Sequence, residues 1–373
     1  MFVNGVGRTK FGRLKETLPQ LMLEATKNAL HDAELSLNDL QAIYVSNFNA
    51  GYFQKQLHLN SLFASLYPGL NLPAFRIEAA CASGGAALYQ ALLALNKFDN
   101  VLVLGVEKMT DVPTGNAIEA LAMAGDRTDQ QQGLIFPAAY ALLAAEHMKK
   151  YGTTLEDLGK IAVQNHDNAN LNELAQFYGK KITTEAVQNS PVVCTPLRLL
   201  DCSPVSDGAA ALVVSKKKTG KSIKVLASAC ATDTLSLAQR SDLTTLPAAR
   251  KASEIALKEA NLKAREIGMF EVHDCFTINQ LIAMEDIGLC KPGDAAEMIS
   301  QGKTTLKGEY PVNTDGGLKA NGHPIGATGV AQVYEAVTQL RGEAGKRQVK
   351  AQTALTHNVG GVGGTAVVHI FGV

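Results

Sequence analysis

The chain has 373 residues, 46% hydrophobic and 19% charged, with 35 basic residues balanced by 35 acidic ones. That length accommodates two domains, or one two-part domain with a large core. The charge balance leaves no electrostatic footprint for nucleic acid or an anionic membrane surface.

The N-terminal stretch "MFVNGVGRTKFGRL" lacks the long apolar run of a signal peptide. Leu18 to Ala33 reads as a helix, and "AIYVS" (42–46) as a strand. From Arg76 to Leu93 the chain runs "RIEAACASGGAALYQALL", a short apolar run followed by a helix-like run of very small residues. Strand patterns recur at "NVLVLGVE" (100–107), "AALVVS" (210–215), "IKVLASA" (223–229), "MFEVH" (269–273) and "TAVVHIF" (365–371). Helical patterns recur at 247–260 and from Ala331 to Leu340. Alternation of this kind predicts an α/β architecture.

The order repeats itself. Leu18-Pro19 lies over Leu246-Pro247, and "CASGGAALYQALLAL" lies over "HPIGATGVAQVYEAV", placing Cys81 opposite His323 and Gln90 opposite Gln332. A twofold repeat of this size predicts a duplicated α/β unit, residues 1–220 and 221–373, joined at the basic run "SKKKTGKS" (215–222). Residues from about Asp111 to Thr195 have no counterpart in the second unit and read as an inserted lid or pocket module. Residues 82–95 carry no charge and 324–340 only Glu335, so one buried helix per unit is expected, between two sheets.

Six cysteines (Cys81, Cys194, Cys202, Cys230, Cys275, Cys290) are widely spread, without a C-x-x-C pair. Neither a zinc site nor a disulfide scaffold is expected, and a reducing cytoplasm is the expected compartment. No run approaches membrane-spanning length, and the terminal "IFGV" is no peroxisomal signal.

Cys81 on its own fits two roles, a small core residue or a thiol whose pKa is lowered at a helix start. His323, at the equivalent start in the second unit, favours the second, because histidine is the usual base for a nucleophilic cysteine. "EVHDCF" adds His273 and Cys275 at a strand end, and "THNVGGVGG" adds His357 before a glycine turn. That glycine turn is followed by no helix pattern, so a dinucleotide site is not expected.

Taken in order, "EAACASGG", "GVEKMTD", "LDCSPVSDGAAALVV", "HDCF", "GGLKANGHPIGATG" and "HNVGGVGG" resemble the thiolase superfamily, in the branch of sterol-carrier-protein-associated thiolases. The resemblance runs from about Gly5 to the end of the chain. It implies a five-layer αβαβα fold of two similar halves with a loop domain inserted in the first. It implies acyl transfer between coenzyme A thioesters, by cleavage of a 3-ketoacyl-CoA or condensation of two acyl-CoA molecules, with no bound cofactor.

By resemblance Cys81 is the acyl-accepting nucleophile, and His323 activates it and helps hold the enolate oxygen. Cys275 is the acid/base with His357 beside it, and His273 stands where most thiolases have asparagine. Ser206 matches a position near the pantetheine arm, and amides at Gly361 and Gly363 could serve an oxyanion. A homodimer or homotetramer is expected, and some relatives work with a small OB-fold partner. Two other readings remain open at this point: a CoA-linked retro-aldol lyase, disfavoured by the retained Cys81, and a non-catalytic acyl-CoA-binding subunit. Asn172-Glu173 replaces a common Asn-Pro, which bears on pocket shape. No sterol-carrier segment is read after Val373, and lipid transfer is not expected.

Overall fold

A computed structural model describes residues 1–373. The strands are β1 (Phe2–Arg8), β2 (Ala42–Ser46), β3 (Ala74–Ile77), β4 (Asn100–Glu107), the short pair β5 (Val192–Cys194) and β6 (Leu197–Arg198), β7 (Gly208–Ser215), β8 (Ile223–Thr232), β9 (Met269–Glu271), β10 (Thr353–Gly360) and β11 (Thr365–Gly372). Apart from the β5–β6 pair they form one sequence of neighbours, β3-β2-β4-β7-β1-β8-β11-β10-β9. The middle junction is slight: β1 meets β8 only at Phe2↔Lys224 and Val3↔Ile223. The strands therefore fall into two half-sheets.

Each half-sheet repeats the other. In the first, β2 runs parallel to β4, and β4, β7 and β1 are successively antiparallel. In the second, β9 runs parallel to β10, and β10, β11 and β8 are successively antiparallel. A single parallel bridge, Phe270↔Val312, stands where β3 stands in the first.

Between the half-sheets lie the two charge-poor runs as helices, Ser83–Ala94 and Ile325–Leu340. They cross backbone to backbone. A Cβ on Gly84 would sit 2.8 Å from the Gly329 nitrogen, and one on Gly329 would sit 2.3 Å from the Gly85 nitrogen. Outside, Leu18–Asp32 covers the first half-sheet, and Pro247–Ala260 covers the second. Gly7 permits the first contact, since its Cβ would fall 2.3 Å from the Ala29 nitrogen. Both covering helices start with proline in the first turn, where the missing N–H costs nothing. The result is five layers: helix, sheet, helix pair, sheet, helix.

Three boundaries differ from the sequence reading. The strand expected over 269–273 stops at Glu271, because the chain leaves the sheet to form the His273–Phe276 loop. The second buried helix begins at Ile325, its small residues being compatible with tight packing. The excursion between β4 and β7 is wider than 111–195. It takes in Lys108–Asp207 and holds the helices Phe136–Tyr151 and Leu155–Ala169, whereas β10 and β11 are joined by Gly361–Gly364 alone.

Candidate active site

The two buried helices start on the same side, and their preceding residues converge. Ala79–Ser83 forms a tight turn with Ala80 left-handed (φ 51), held by Ser83 Oγ, which accepts from the Ala79 amide at 2.9 Å and donates to the Ala80 carbonyl at 2.6 Å. This turn presents Cys81 two residues before the helix. Cys81 Sγ and one ring nitrogen each of His273 and His323 lie within 4.8 Å of one another.

Burial pushes the Cys81 thiol up to about 12, with the Gly361 amide pulling the other way and the charges of Glu107 and Glu78 adding to the rise. This corrects the expectation that the helix start lowers its pKa: desolvation outweighs the dipole. Burial also lowers His323 to about 3. Thiol and imidazole are therefore both neutral at rest.

Hydrogen bonds assign the tautomers. Thr328 Oγ1 donates to the Pro324 carbonyl at 3.1 Å, so its single proton is used. The His323 Nδ1 contact with Thr328 Oγ1 at 2.7 Å must then be donated by the histidine. That leaves Nε2 with a lone pair, the form a base requires. The His323 backbone amide donates to Ser206 Oγ at 2.8 Å, which fixes the turn.

His273 is set the opposite way. Asn358 Oδ1 accepts from the Gly85 amide at 3.1 Å, so its Nδ2 is the donor to the Cys81 carbonyl at 2.9 Å. The remaining Nδ2 contact, 3.2 Å from His273 Nδ1, makes that nitrogen the acceptor. Nε2 of His273 therefore carries the proton, and it is buried without a partner. Facing Cys81 are thus one lone pair, from His323, and one N–H donor, from His273. Three such ligands could in principle collect a metal ion, yet His273 could offer a lone pair only by giving up its bond from Asn358. The geometry suits an oxyanion better than a cation.

A cavity of about 260 Å³ opens onto this group. Cys81, His323, Cys275 and Gly361 line it, and its walls come from the inserted region, including Ile118, Leu121 and Phe136. No Asp, Glu, Lys or Arg lines it, so it suits an apolar acyl or pantetheine arm more than a nucleotide.

Several expected residues sit differently from the sequence reading. His357 is fully buried behind the site: its Nδ1 is 3.5 Å from the His273 amide and it does not line the cavity. Cys275 shares the cavity wall instead with Tyr140, whose ring stacks on the adjacent Phe276. Ser206 has no exposed surface; its hydroxyl is occupied by His323 and by Gln176 Oε1 at 2.6 Å, and its neighbours Pro204 and Val205 line the cavity instead. Gly361 (φ 61) lines the cavity with Cys81, and its amide works against the rise of the thiol pKa. The Gly363 amide is consumed within the turn by the Gly360 carbonyl at 3.1 Å and is not free for an oxyanion.

The sequence does not single out Tyr140 or Thr328, and it brings in Asn358 only as the neighbour of His357 with no role of its own. Asn358 follows His357 in "THNVGGVGG", and Thr328 falls one turn into the helix after His323. Tyr140 is one of nine tyrosines, and nothing local marks it.

Residues 1–218 match the family description "Thiolase, N-terminal domain", and residues 229–373 match "Thiolase C-terminal domain-like". Acetyl-CoA acetyltransferase of Methanothermobacter thermautotrophicus is 48% identical over 382 residues, covering 99% of this chain and 98% of that protein. Sterol carrier protein 2 of Homo sapiens is 34% identical over 399 residues, covering 100% of this chain and 71% of that protein. Among solved structures, the Ltp2-ChsH2(DUF35) aldolase superposes with TM-score 0.84 at 25% identity, covering 99% and 97%. Human mitochondrial 3-ketoacyl-CoA thiolase in complex with CoA superposes with TM-score 0.76 at 19% identity, covering 100% and 97%, a likeness of fold.

Proposed function

The chain belongs to the thiolase family and is a thiolase-type acyltransferase, and from that premise we propose a ping-pong Claisen reaction in which Cys81 carries the acyl group. The observation that carries this reading is the approach of Cys81, His323 and His273 within 4.8 Å, with a lone pair on one histidine and an N–H on the other.

In the first half-reaction His323 Nε2 takes the Cys81 proton as the sulfur attacks the thioester carbonyl. The neutral resting pair suits this, because the proton moves only when the bond forms. The oxyanion of the tetrahedral intermediate accepts from the Gly361 amide. The carbon–sulfur bond to CoA then breaks, and CoA leaves with the proton from His323. In the second half-reaction Cys275 passes its thiol proton to His323 Nε2 across the shared cavity and, as thiolate, removes the α-proton of a second acyl-CoA, with His273 Nε2–H at the enolate oxygen. The carbanion attacks the acyl group, the acyl–Cys81 bond breaks, the Cys81 sulfur takes the proton held on His323, and a 3-ketoacyl-CoA forms; cleavage is the reverse. Such donors act where charge develops, so they lower the barrier rather than merely bind.

The test is intact mass after incubation with acetyl-CoA or acetoacetyl-CoA. A single acyl adduct is expected on the wild type and none on Cys81→Ser. An adduct that persists in the variant, or none on the wild type, overturns the assignment.

Homo-oligomerisation is part of the proposal. Edge strand β3 leaves one side unpaired, with Phe75 49% exposed and Leu57 nearby at 69%. A second copy would cover that edge. The aldolase named above carries a DUF35 component, and a small partner of that kind is proposed here too. A division near residue 220 is part of the proposal, supported by the matched regions 1–218 and 229–373. Six free cysteines fit a reducing compartment, and no helix is long and apolar enough to cross a membrane.

A further inference from the structure

Tyr140 lies on the Phe136–Tyr151 helix, in the inserted region, and is 1% exposed. It lines the same cavity as Cys81, Cys275 and His323. Its ring stacks on Phe276, the neighbour of Cys275, with centroids 4.6 Å apart and planes at 26°. Its hydroxyl is 2.9 Å from the Gly361 carbonyl.

A phenol has one proton and a carbonyl can only accept, so at rest that proton is directed at Gly361. The lone pairs of the phenol oxygen are then free to accept from the Cys275 S–H. We propose that Tyr140 is a positioning residue whose O–H turns from the Gly361 carbonyl to the Cys275 sulfur when Cys275 becomes a thiolate. The proposal rests on the reading of Cys275 as the base.

The atoms balance without a proton leaving the phenol. On rotation the O–H···O=C bond to Gly361 is exchanged for an O–H···S⁻ bond. When Cys275 takes the α-proton of the substrate, the sulfur becomes a donor again and the phenol returns to Gly361. The exchange links the acid/base group to the residue whose amide faces Cys81, so one hydroxyl touches both halves of the reaction.

The surroundings leave few other donors for that sulfur. The backbone N–H of Phe276 is one. The titratable groups facing Cys275 are Cys81 from the first half and Asp274 on its own loop, and both disfavour a second negative charge. Arg240 faces the phenol but is paired with Asp233. Burial holds the Cys275 thiol well above its ordinary value, and the phenol works against that rise. The phenol itself is held well above its own ordinary value by burial, so it stays protonated as a donor.

The test compares wild type with Tyr140→Phe, which keeps the ring against Phe276. Acyl-Cys81 should still form, which verifies folding. The condensation step should fall about 10- to 100-fold, the range for losing a hydrogen bond to a charged group. Iodoacetamide labelling of Cys275, followed by peptide mass in a Cys81→Ser background, should move to higher pH. A labelling profile identical with and without the hydroxyl overturns the proposal. Should the phenylalanine variant fail to acylate, 3-fluorotyrosine at position 140 keeps the hydroxyl as a stronger donor. The profile should then move to lower pH, and no movement overturns the proposal. Failure of the Cys275 reading shows up separately, as full turnover by Cys275→Ala, while the labelling profiles still decide the role of Tyr140.

Discussion

The two halves repeat one strand order but complete it differently. Between β4 and β7 the first half places all of Lys108–Asp207, including two long helices; between β10 and β11 the second half places only Gly361–Gly364. The short connection exposes a backbone amide, at Gly361, and the long one supplies side chains, from Ile118 to Tyr140. The same division holds at the helix starts, where one copy carries a thiol and the other an imidazole. Duplication thus provides two equivalent positions that face each other, and divergence turns a symmetric pair into nucleophile and base. Neither half holds a complete site.

The sharpest way to break this comparison is to remove the second half's contribution. His323→Ala should lower acylation of Cys81 by about 10²- to 10⁴-fold, the range for a general base, measured by rapid-quench mass analysis. The wild-type rate should show no inflection near pH 6.5, where an ordinary histidine titrates. With His323 lowered to about 3 and Cys81 raised to about 12, both groups keep their neutral forms between those limits. Only below pH 3 does protonation of His323 remove the base. An inflection between pH 6 and 7 in that rate contradicts the neutral pair.

The next effect separates the two histidines. His273→Ala should leave acylation nearly intact and slow the condensation step about 10²- to 10³-fold, as for loss of one oxyanion donor. Equal losses in both steps would mean that the two histidines share one role. The smallest expected effect concerns the scaffold. Gly329→Ala drives a methyl to 2.3 Å from both the Gly85 nitrogen and Asn358 Oδ1, so it should cost about 1–3 kcal/mol in urea unfolding. It should also slow acylation by displacing Asn358 and the Cys81 carbonyl it holds. Unchanged stability would show that the helices do not need their backbone contact.

Much of this was legible in the sequence because it is periodic or local. The repeat of Leu-Pro helices and of charge-poor runs points to two halves, and the alignment of Cys81 with His323 follows from that repeat. The proline after His323 and the small residues after Cys81 mark helix starts directly. What escaped depends on partners far along the chain. The proton on His273 is set by Asn358, itself set by Gly85, and no spacing rule links these three. The thiol pKa departs from the sequence expectation because a helix start is a local feature, whereas burial is a property of the whole packed site. Gly363 resembled Gly361 as a letter, yet its amide is spent inside the turn. Tyr140 is visible only once the inserted helix is docked over Phe276.

The slender join between the half-sheets has a consequence of its own. The halves share two residue pairs of strand, β1 with β8, and one exposed connection between Ser215 and Ile223. What binds them is the flush crossing of the two buried helices together with the inserted helices Phe136–Tyr151 and Leu155–Ala169, which pack on the second half. Continuity of the peptide there contributes little beyond keeping the halves at high local concentration. The molecule is in effect a tethered heterodimer, and that connection is the natural place to cut it into two pieces that are inert apart and reassemble on mixing.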